Sequence, residues 1–179
     1  MITLLLYNIS KNGESDGHMT QMKVRDIMTT QVVTLKGTNT IKQATKKLAV
    51  DNISGAPVVD DNNKLIGMIS ETDILKLVLK YQKELNLKDP SLHILTVPMD
   101  DVDIEDEKVR EASKKISETL VSDIMTQTIL TTVPSEKIID VVQAMMEYGV
   151  KRIPVLEKGI LVGIISRGDI IFSIYKRKV

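Results

Sequence analysis

The 179-residue sequence predicts an α+β (mixed α/β) fold in which two β-α-β-β-α units pair about a pseudo-twofold axis. Two observations carry that reading. First, the chain repeats itself: Val24-Arg25-Asp26-Ile27-Met28-Thr29 returns as Val121-Ser122-Asp123-Ile124-Met125-Thr126, and Gly67-Met68-Ile69-Ser70-Glu71-Thr72-Asp73-Ile74 returns as Gly163-Ile164-Ile165-Ser166-Arg167-Gly168-Asp169-Ile170. Two copies are too few for a solenoid, so they form one module. Second, both copies run through the same succession of helix and strand periodicities, and neither can bury its apolar faces alone.

Each element follows from local chemistry. In the first copy Val32-Val33-Thr34-Leu35 is short and β-branched, as a strand requires, and Ile129 to Val133 takes its place in the second. Ile41, Ala44, Thr45, Leu48 and Ala49 then recur at i, i+3, i+4, i+7 and i+8, one face of a helix, matched by Ile138, Val141, Val142, Met145 and Met146. Thr38 and Ser135 precede these helices and are the expected N-caps. Ala56-Pro57-Val58-Val59 and Ile153-Pro154-Val155-Leu156 read as strands entered through proline. Short polar turns lead to Leu65–Ile69 and Ile160–Ile165, which gives a hairpin in each copy. The closing helices carry Ile74, Leu77, Val78 and Tyr81 on one face, and Ile170, Ile171 and Ile174 on the other copy's equivalent.

Along the chain this gives an amino-terminal extension at 1–20, expected to be flexible and set aside from functional argument, with Met19 or Met22 a candidate start. The first repeat covers 21–80, an insert 81–118 and the second repeat 119–179. The insert holds six basic and ten acidic residues and is foreign in composition to the repeats. Asp89-Pro90 and Val97-Pro98 break helices there, whereas Val109, Ala112, Ile116 and Leu120 space an amphipathic helix from about Glu105 to Leu120.

Composition excludes several functions. Formal net charge is zero and there is no Trp and one Phe, which argues against a nucleic-acid groove with stacking platforms. Without cysteine there is no disulfide framework, thiolate metal site or cysteine nucleophile, and an intracellular, cytoplasmic location fits. Met1 to Ile9 is apolar but too short to span a bilayer, so no membrane role is expected. No Gly-x-Ser-x-Gly, P-loop or Gly-x-Gly-x-x-Gly occurs, and catalysis is not expected. His18 and His93 are isolated, the acidic stretch Asp100 to Glu107 lacks calcium-loop spacing, and Arg167-Gly168-Asp169 is a chance tripeptide within the repeat.

The residues that repeat with chemistry are Ser70 and Asp73, then Ser166 and Asp169. Ser-x-x-Asp at a helix start is a form of the capping box. The same geometry suits a nucleotide: helix N–H groups and a serine hydroxyl donate to phosphate, while an ionised carboxylate accepts both hydroxyls of a ribose. Gly67 and Gly163, inside strands, mark a close approach by another backbone or a ligand. Lys151, Arg152 and Arg167 surround the second motif, whereas Glu71 stands in the first where Arg167 stands in the second. The Asp169 site is therefore expected to be the better phosphate site.

Val24–Thr34, Asn52–Ile74, Val121–Thr131 and Gly149–Ile170 together resemble the cystathionine-β-synthase-type (CBS) motif, which occurs in pairs as a Bateman module. The resemblance implies regulatory binding of AMP, ADP, ATP or S-adenosylmethionine in clefts between the repeats. It implies Asp73 and Asp169 on ribose, and Ser70 and Ser166 near phosphate with Lys151, Arg152 and Arg167. Thr34 and Thr131, with the backbone around Ala56-Pro57 and Ile153-Pro154, would line the base pocket. It further implies a homodimer and an unidentified regulated protein, with no required cofactor. The rival readings are an interaction or dimerisation protein with unoccupied clefts and, last, an enzyme.

Overall fold

The computed structural model describes residues 5–6, 22–85 and 107–176. Along the chain these form β1 (Leu5–Leu6), a 3-10 turn (Val24–Asp26), α1 (Ile41–Val50), β2 (Gly55–Val59), β3 (Leu65–Ser70), α2 (Glu71–Glu84) and α3 (Glu107–Glu118). They continue with α4 (Val121–Ile124), β4 (Leu130–Thr131), α5 (Ile138–Glu147), β5 (Arg152–Glu157), β6 (Ile160–Ser166) and α6 (Arg167–Lys176). Helix and strand alternate as the repeat predicts, and the fold is α+β.

The described residues fall into two compact units that are not contiguous in sequence. One holds 33–60, 66–85 and 107–126; the other holds 5–6, 22–32, 61–65 and 127–176. The two Val-x-Asp-Ile-Met-Thr segments are thus exchanged relative to a division at 21–80 and 119–179: each packs with the hairpin of the other copy. Thr126 and Met68 trade backbone hydrogen bonds of 2.8 and 2.9 Å in the first-repeat unit, as Thr29 and Ile164 do at 2.9 Å in the second-repeat unit. Those bonds explain Gly67 and Gly163. A Cβ on Gly67 would run into the Met125 side chain, and one on Gly163 would lie 2.8 Å from Met28 Sδ and 3.1 Å from the Thr29 carbonyl oxygen. The close approach is by the exchanged segment.

In the first-repeat unit, the core joins Leu35, Ile41, Ala44, Leu48, Ala56, Val58, Ile69 and Ile74 to Ala112, Ile116 and Val121. The helix predicted in the insert therefore contributes Ala112 and Ile116 of its apolar stripe to this core, and Val109 on the same stripe is also buried. Leu120, expected on that stripe, lies beyond the end of α3 and is half-exposed. In the second-repeat unit, Met22 and Val24 pack with Ile138, Val141, Ala144, Met145, Ile153, Val155, Ile165 and Ile170. The β5–β6 pair is antiparallel, with Arg152 opposite Ser166 and Ile153 opposite Ile165.

Several local expectations are corrected. The strand over Val32–Leu35 shrinks to one parallel bridge from Leu35 to Val58, because Val32 N–H turns back to the Thr30 carbonyl. Its counterpart shrinks to Leu130–Thr131, with Thr132 bridging to Val155. The N-caps are Thr40 and Lys137 rather than Thr38 and Ser135. A turn spends Lys36 to Asn39 first: Asn39 N–H donates to the Lys36 carbonyl, and its side-chain oxygen accepts from Lys36 N–H at 2.8 Å. Met145 is fully buried but Met146 is 60% exposed, and Ile170 is buried while Ile171 and Ile174 are not, so the apolar stripes of α5 and α6 are narrower than the sequence pattern. The extension set aside at 1–20 contributes β1, whose Leu5 and Leu6 pair in parallel with Leu130 and Thr131. Gly13 to Gly17, Met19, the two histidines, both proline dipeptides of the insert, Asp100 to Asp106 and Arg177-Lys178 lie outside the described residues.

Candidate functional site

Both Ser-x-x-Asp motifs sit where a strand turns directly into a helix, β3 into α2 and β6 into α6. In each the carboxylate reaches back over one turn. Asp73 Oδ2 accepts from Ser70 N–H at 2.9 Å and from the Ser70 hydroxyl at 2.6 Å. Asp169 Oδ2 accepts from Ser166 N–H at 2.7 Å and from the Ser166 hydroxyl at 2.6 Å, while Ser166 Oγ accepts from Asp169 N–H at 3.2 Å. The capping-box reading is therefore realised, and it spends one carboxylate oxygen on the helix start. The second oxygen points elsewhere. Asp73 Oδ1 has no hydrogen-bond partner among the described residues, and Asp169 Oδ1 has only the Thr29 hydroxyl at 3.4 Å, a long contact. Both aspartates are half-buried. Capping thus orients each carboxylate through Oδ2 and leaves Oδ1 outside the box.

The strand before each site is locked the same way. Glu71 N–H donates to the Ser54 carbonyl at 3.1 Å, and Arg167 N–H to the Lys151 carbonyl at 3.0 Å. This fixes the opening of each hairpin against its helix start. Arg152 stands across from Ser166, so both side chains leave the same face of the sheet, and Lys151 is exposed beside them. Gly55 holds the equivalent position to Arg152 in the first repeat, and Glu71 is exposed at the helix start.

Arg167 is placed differently from its basic neighbours. Its Nη2 donates to the Met145 carbonyl at 3.2 Å, and its buried Nε has no partner among the described residues. The guanidinium is drawn toward the end of α5. The positive charge on the Ser166 side is thus carried foremost by Lys151 and Arg152.

The remaining sequence candidates divide by burial. Thr131 is 5% exposed and Thr34 is half-buried. Ala56, Pro57, Ile153 and Pro154 are buried in their sheets, and the Pro57 and Pro154 carbonyls already accept from Leu35 and Thr132 N–H at 3.0 Å. These four shape the strands, and their side chains present no polar group to a ligand. Thr29 is a site neighbour that sequence reasoning passed over. Its signal was present in the recurrence of Asp-Ile-Met-Thr, but the exchange that carries it to the Asp169 side is a tertiary event. Among the described residues no group of three or more His, Asp or Glu stands where it could hold a metal ion, and no helix is long and apolar enough to cross a membrane.

The family model described as CBS domain matches residues 24–80 and 121–176. MJ1426 of Methanocaldococcus jannaschii is 33% identical over 169 residues, which is 93% of this chain and 96% of that protein. MJ1225 of the same organism is 31% identical over 148 residues, 83% of this chain but 41% of that longer protein. Among solved structures, CBSX2 in complex with AMP is 25% identical with a TM-score of 0.64, covering 88% of this chain and 98% of that one.

Proposed function

The chain belongs to the CBS-domain family, and from that premise we propose that it is a regulatory module that binds an adenosine-containing nucleotide and passes its occupancy to a partner protein. The observation that carries the reading is the twice-built carboxylate: in each unit one oxygen of Asp73 or Asp169 is tied into the helix start and the other is left as an acceptor. A ribose presents donors of the kind that oxygen takes; the hydroxyls of Ser70 and Ser166 are spent on Asp73 and Asp169, so phosphate would be met by the backbone N–H groups of the adjacent helix N-terminus. The AMP-bound CBSX2 structure makes AMP the first ligand to test. Binding acts through differential affinity, because a ligand favours only conformations that hold its site together.

Lys151 and Arg152 beside Ser166, against Gly55 and Glu71 beside Ser70, make the Asp169 site the stronger phosphate binder. The module has no catalytic role in this reading and functions as a homodimer. Each unit exposes an apolar pair at the same repeat position, Leu75/Leu79 on α2 in one and Ile171/Tyr175 on α6 in the other, that a second copy would cover.

Thermal unfolding with AMP, ADP, ATP, S-adenosylmethionine and NAD tests the reading. A ligand at a hundred times its dissociation constant adds about 2.7 kcal/mol of stability. The AMP-induced shift should shrink more in Asp169→Ala than in Asp73→Ala. No shift with any of the five sinks the nucleotide reading, and a larger loss in Asp73→Ala reverses the assignment of the sites.

A further inference from the structure

We propose that β1 is an autoinhibitory strap, laid along the edge of β4 at Thr131 and displaced when the nucleotide binds. This rests on the reading of Thr131 as a residue of the nucleotide site. Successive residues of a strand send their backbone N–H and C=O to opposite edges, so the two edges of β4 can be told apart. Thr132 faces β5: its N–H donates to the Pro154 carbonyl at 3.0 Å, and its carbonyl accepts from Leu156 N–H at 2.8 Å. Thr131, one residue earlier, therefore turns its backbone groups to the other edge, and there Leu6 is its parallel partner, with Leu5 opposite Leu130. An open strand edge is a row of unsatisfied donors and acceptors that accepts either a second strand or a polar, planar ligand. A base lying along Thr131 and the strand β1 thus claim the same backbone groups and the same space.

The other repeat supplies the comparison. Leu35 takes the place of Thr132, donating to the Pro57 carbonyl at 3.0 Å and accepting from Val59 N–H at 2.9 Å, so Thr34 turns its backbone to the equivalent outer edge. Val33 and Thr34 take part in no strand pairing among the described residues. Exposure agrees, since Thr131 is 5% exposed and Thr34 is half-buried. Among the described residues one of the two equivalent edges carries a strand and the other carries none. The ladder is only two residues long, so the strap is easily lifted and its effect on affinity is modest.

The test is the full chain carrying Leu5→Pro and Leu6→Pro together, since proline cannot donate to a ladder. AMP titration by calorimetry and amide hydrogen exchange are compared with the parent chain. The variant should exchange the Thr131 amide faster and bind AMP about three- to tenfold more tightly, as the closed fraction of the edge is removed. In the parent, AMP should speed exchange at Leu5, whose N–H faces β4. Equal AMP affinity in the two chains, or unchanged exchange at Thr131 in the variant, overturns the strap while leaving the nucleotide site standing. Failure of both chains to bind AMP overturns the site and the strap together.

Discussion

Met28 lies with its sulfur where a side chain on Gly163 would begin: a Cβ there would stand 2.8 Å from Sδ, and the Thr29 carbonyl oxygen closes the same space at 3.1 Å. Met125 fills the equivalent place over Gly67. The repeated glycines and repeated methionines are therefore halves of one contact, made twice between a hairpin and the segment exchanged from the other copy. This contact, with the Thr29–Ile164 and Thr126–Met68 backbone bonds, gives the Val-x-Asp-Ile-Met-Thr sequence its structural reason to repeat.

Gly67→Ala and Gly163→Ala should each destabilise the protein by about 1–3 kcal/mol through overpacking. Their rescue should differ. At Gly67 every close atom belongs to the Met125 side chain, so Gly67→Ala/Met125→Ala should be clearly more stable than the sum of its single variants. At Gly163 the Thr29 carbonyl is backbone held by paired bonds to Ile164, so Met28→Ala should relieve Gly163→Ala less. Urea unfolding of the four single and two double variants measures both couplings, and equal rescue would refute the backbone part of the argument.

The start of α1 gives a second prediction. Gln43 N–H donates to Thr40 Oγ1 at 3.3 Å, and Thr40 N–H donates to Gln43 Oε1 at 3.0 Å, a reciprocal capping box. Thr40→Ala should cost about 0.5–2 kcal/mol. Thr38→Ala and Ser135→Ala, at exposed positions ahead of the true caps, should stay within about 0.5 kcal/mol of the parent. Denaturant midpoints check this, and a Thr38 effect as large as that of Thr40 would contradict it.

These caps also show where the sequence was legible. Helix faces were read from spacing because Ile41, Ala44 and Leu48 must all meet one core, and that requirement is periodic. The Ser-x-x-Asp motifs were legible because their bonds close within one turn. The caps slipped by two residues because a turn comes first in each copy, closed by Asn39 N–H on the Lys36 carbonyl and by Glu136 N–H on the Val133 carbonyl, a balance of bonds with no periodic signature. The exchanged segments, the Thr29 contact with Asp169 and the inward turn of Arg167 depend on which copy packs with which, and no local pattern records that.

On α3, Lys115 Nζ lies 2.8 Å from Glu111 Oε1. That hydrogen bond first, and the lysine charge second, hold the Glu111 carboxyl below its ordinary range, while the same pairing raises Lys115. The Glu111 contribution is present above the carboxylate's unfolded pKa and lost as pH falls through its lowered folded value. The Lys115 contribution is present below the unfolded lysine pKa and lost as pH rises through its raised folded value. Both side chains are exposed, so the effect should be small and largely screened by salt. Glu111→Gln should flatten the acid limb of the urea-midpoint profile at low salt and change nothing at high salt. A steeper acid limb in the variant would give the pair the wrong sign.

Ile116 decides whether the insert is accessory or integral. It is 6% exposed and shares a core cluster with Ile41, Ala44, Leu48 and Ile74, so α3 is the third helical wall of the first-repeat unit. Truncation removes three buried carbons from a core that relaxes only in part, and Ile116→Ala should cost about 2–5 kcal/mol. Lys114→Ala, on the exposed face of the same helix, separates loss of packing from loss of helix propensity, because alanine is the better helix former and leaves no cavity. Its change should stay within about 0.5 kcal/mol. An Ile116→Ala variant as stable as Lys114→Ala would mean that α3 merely rests on the unit. A large and specific loss would mean that the unit cannot close its core without it.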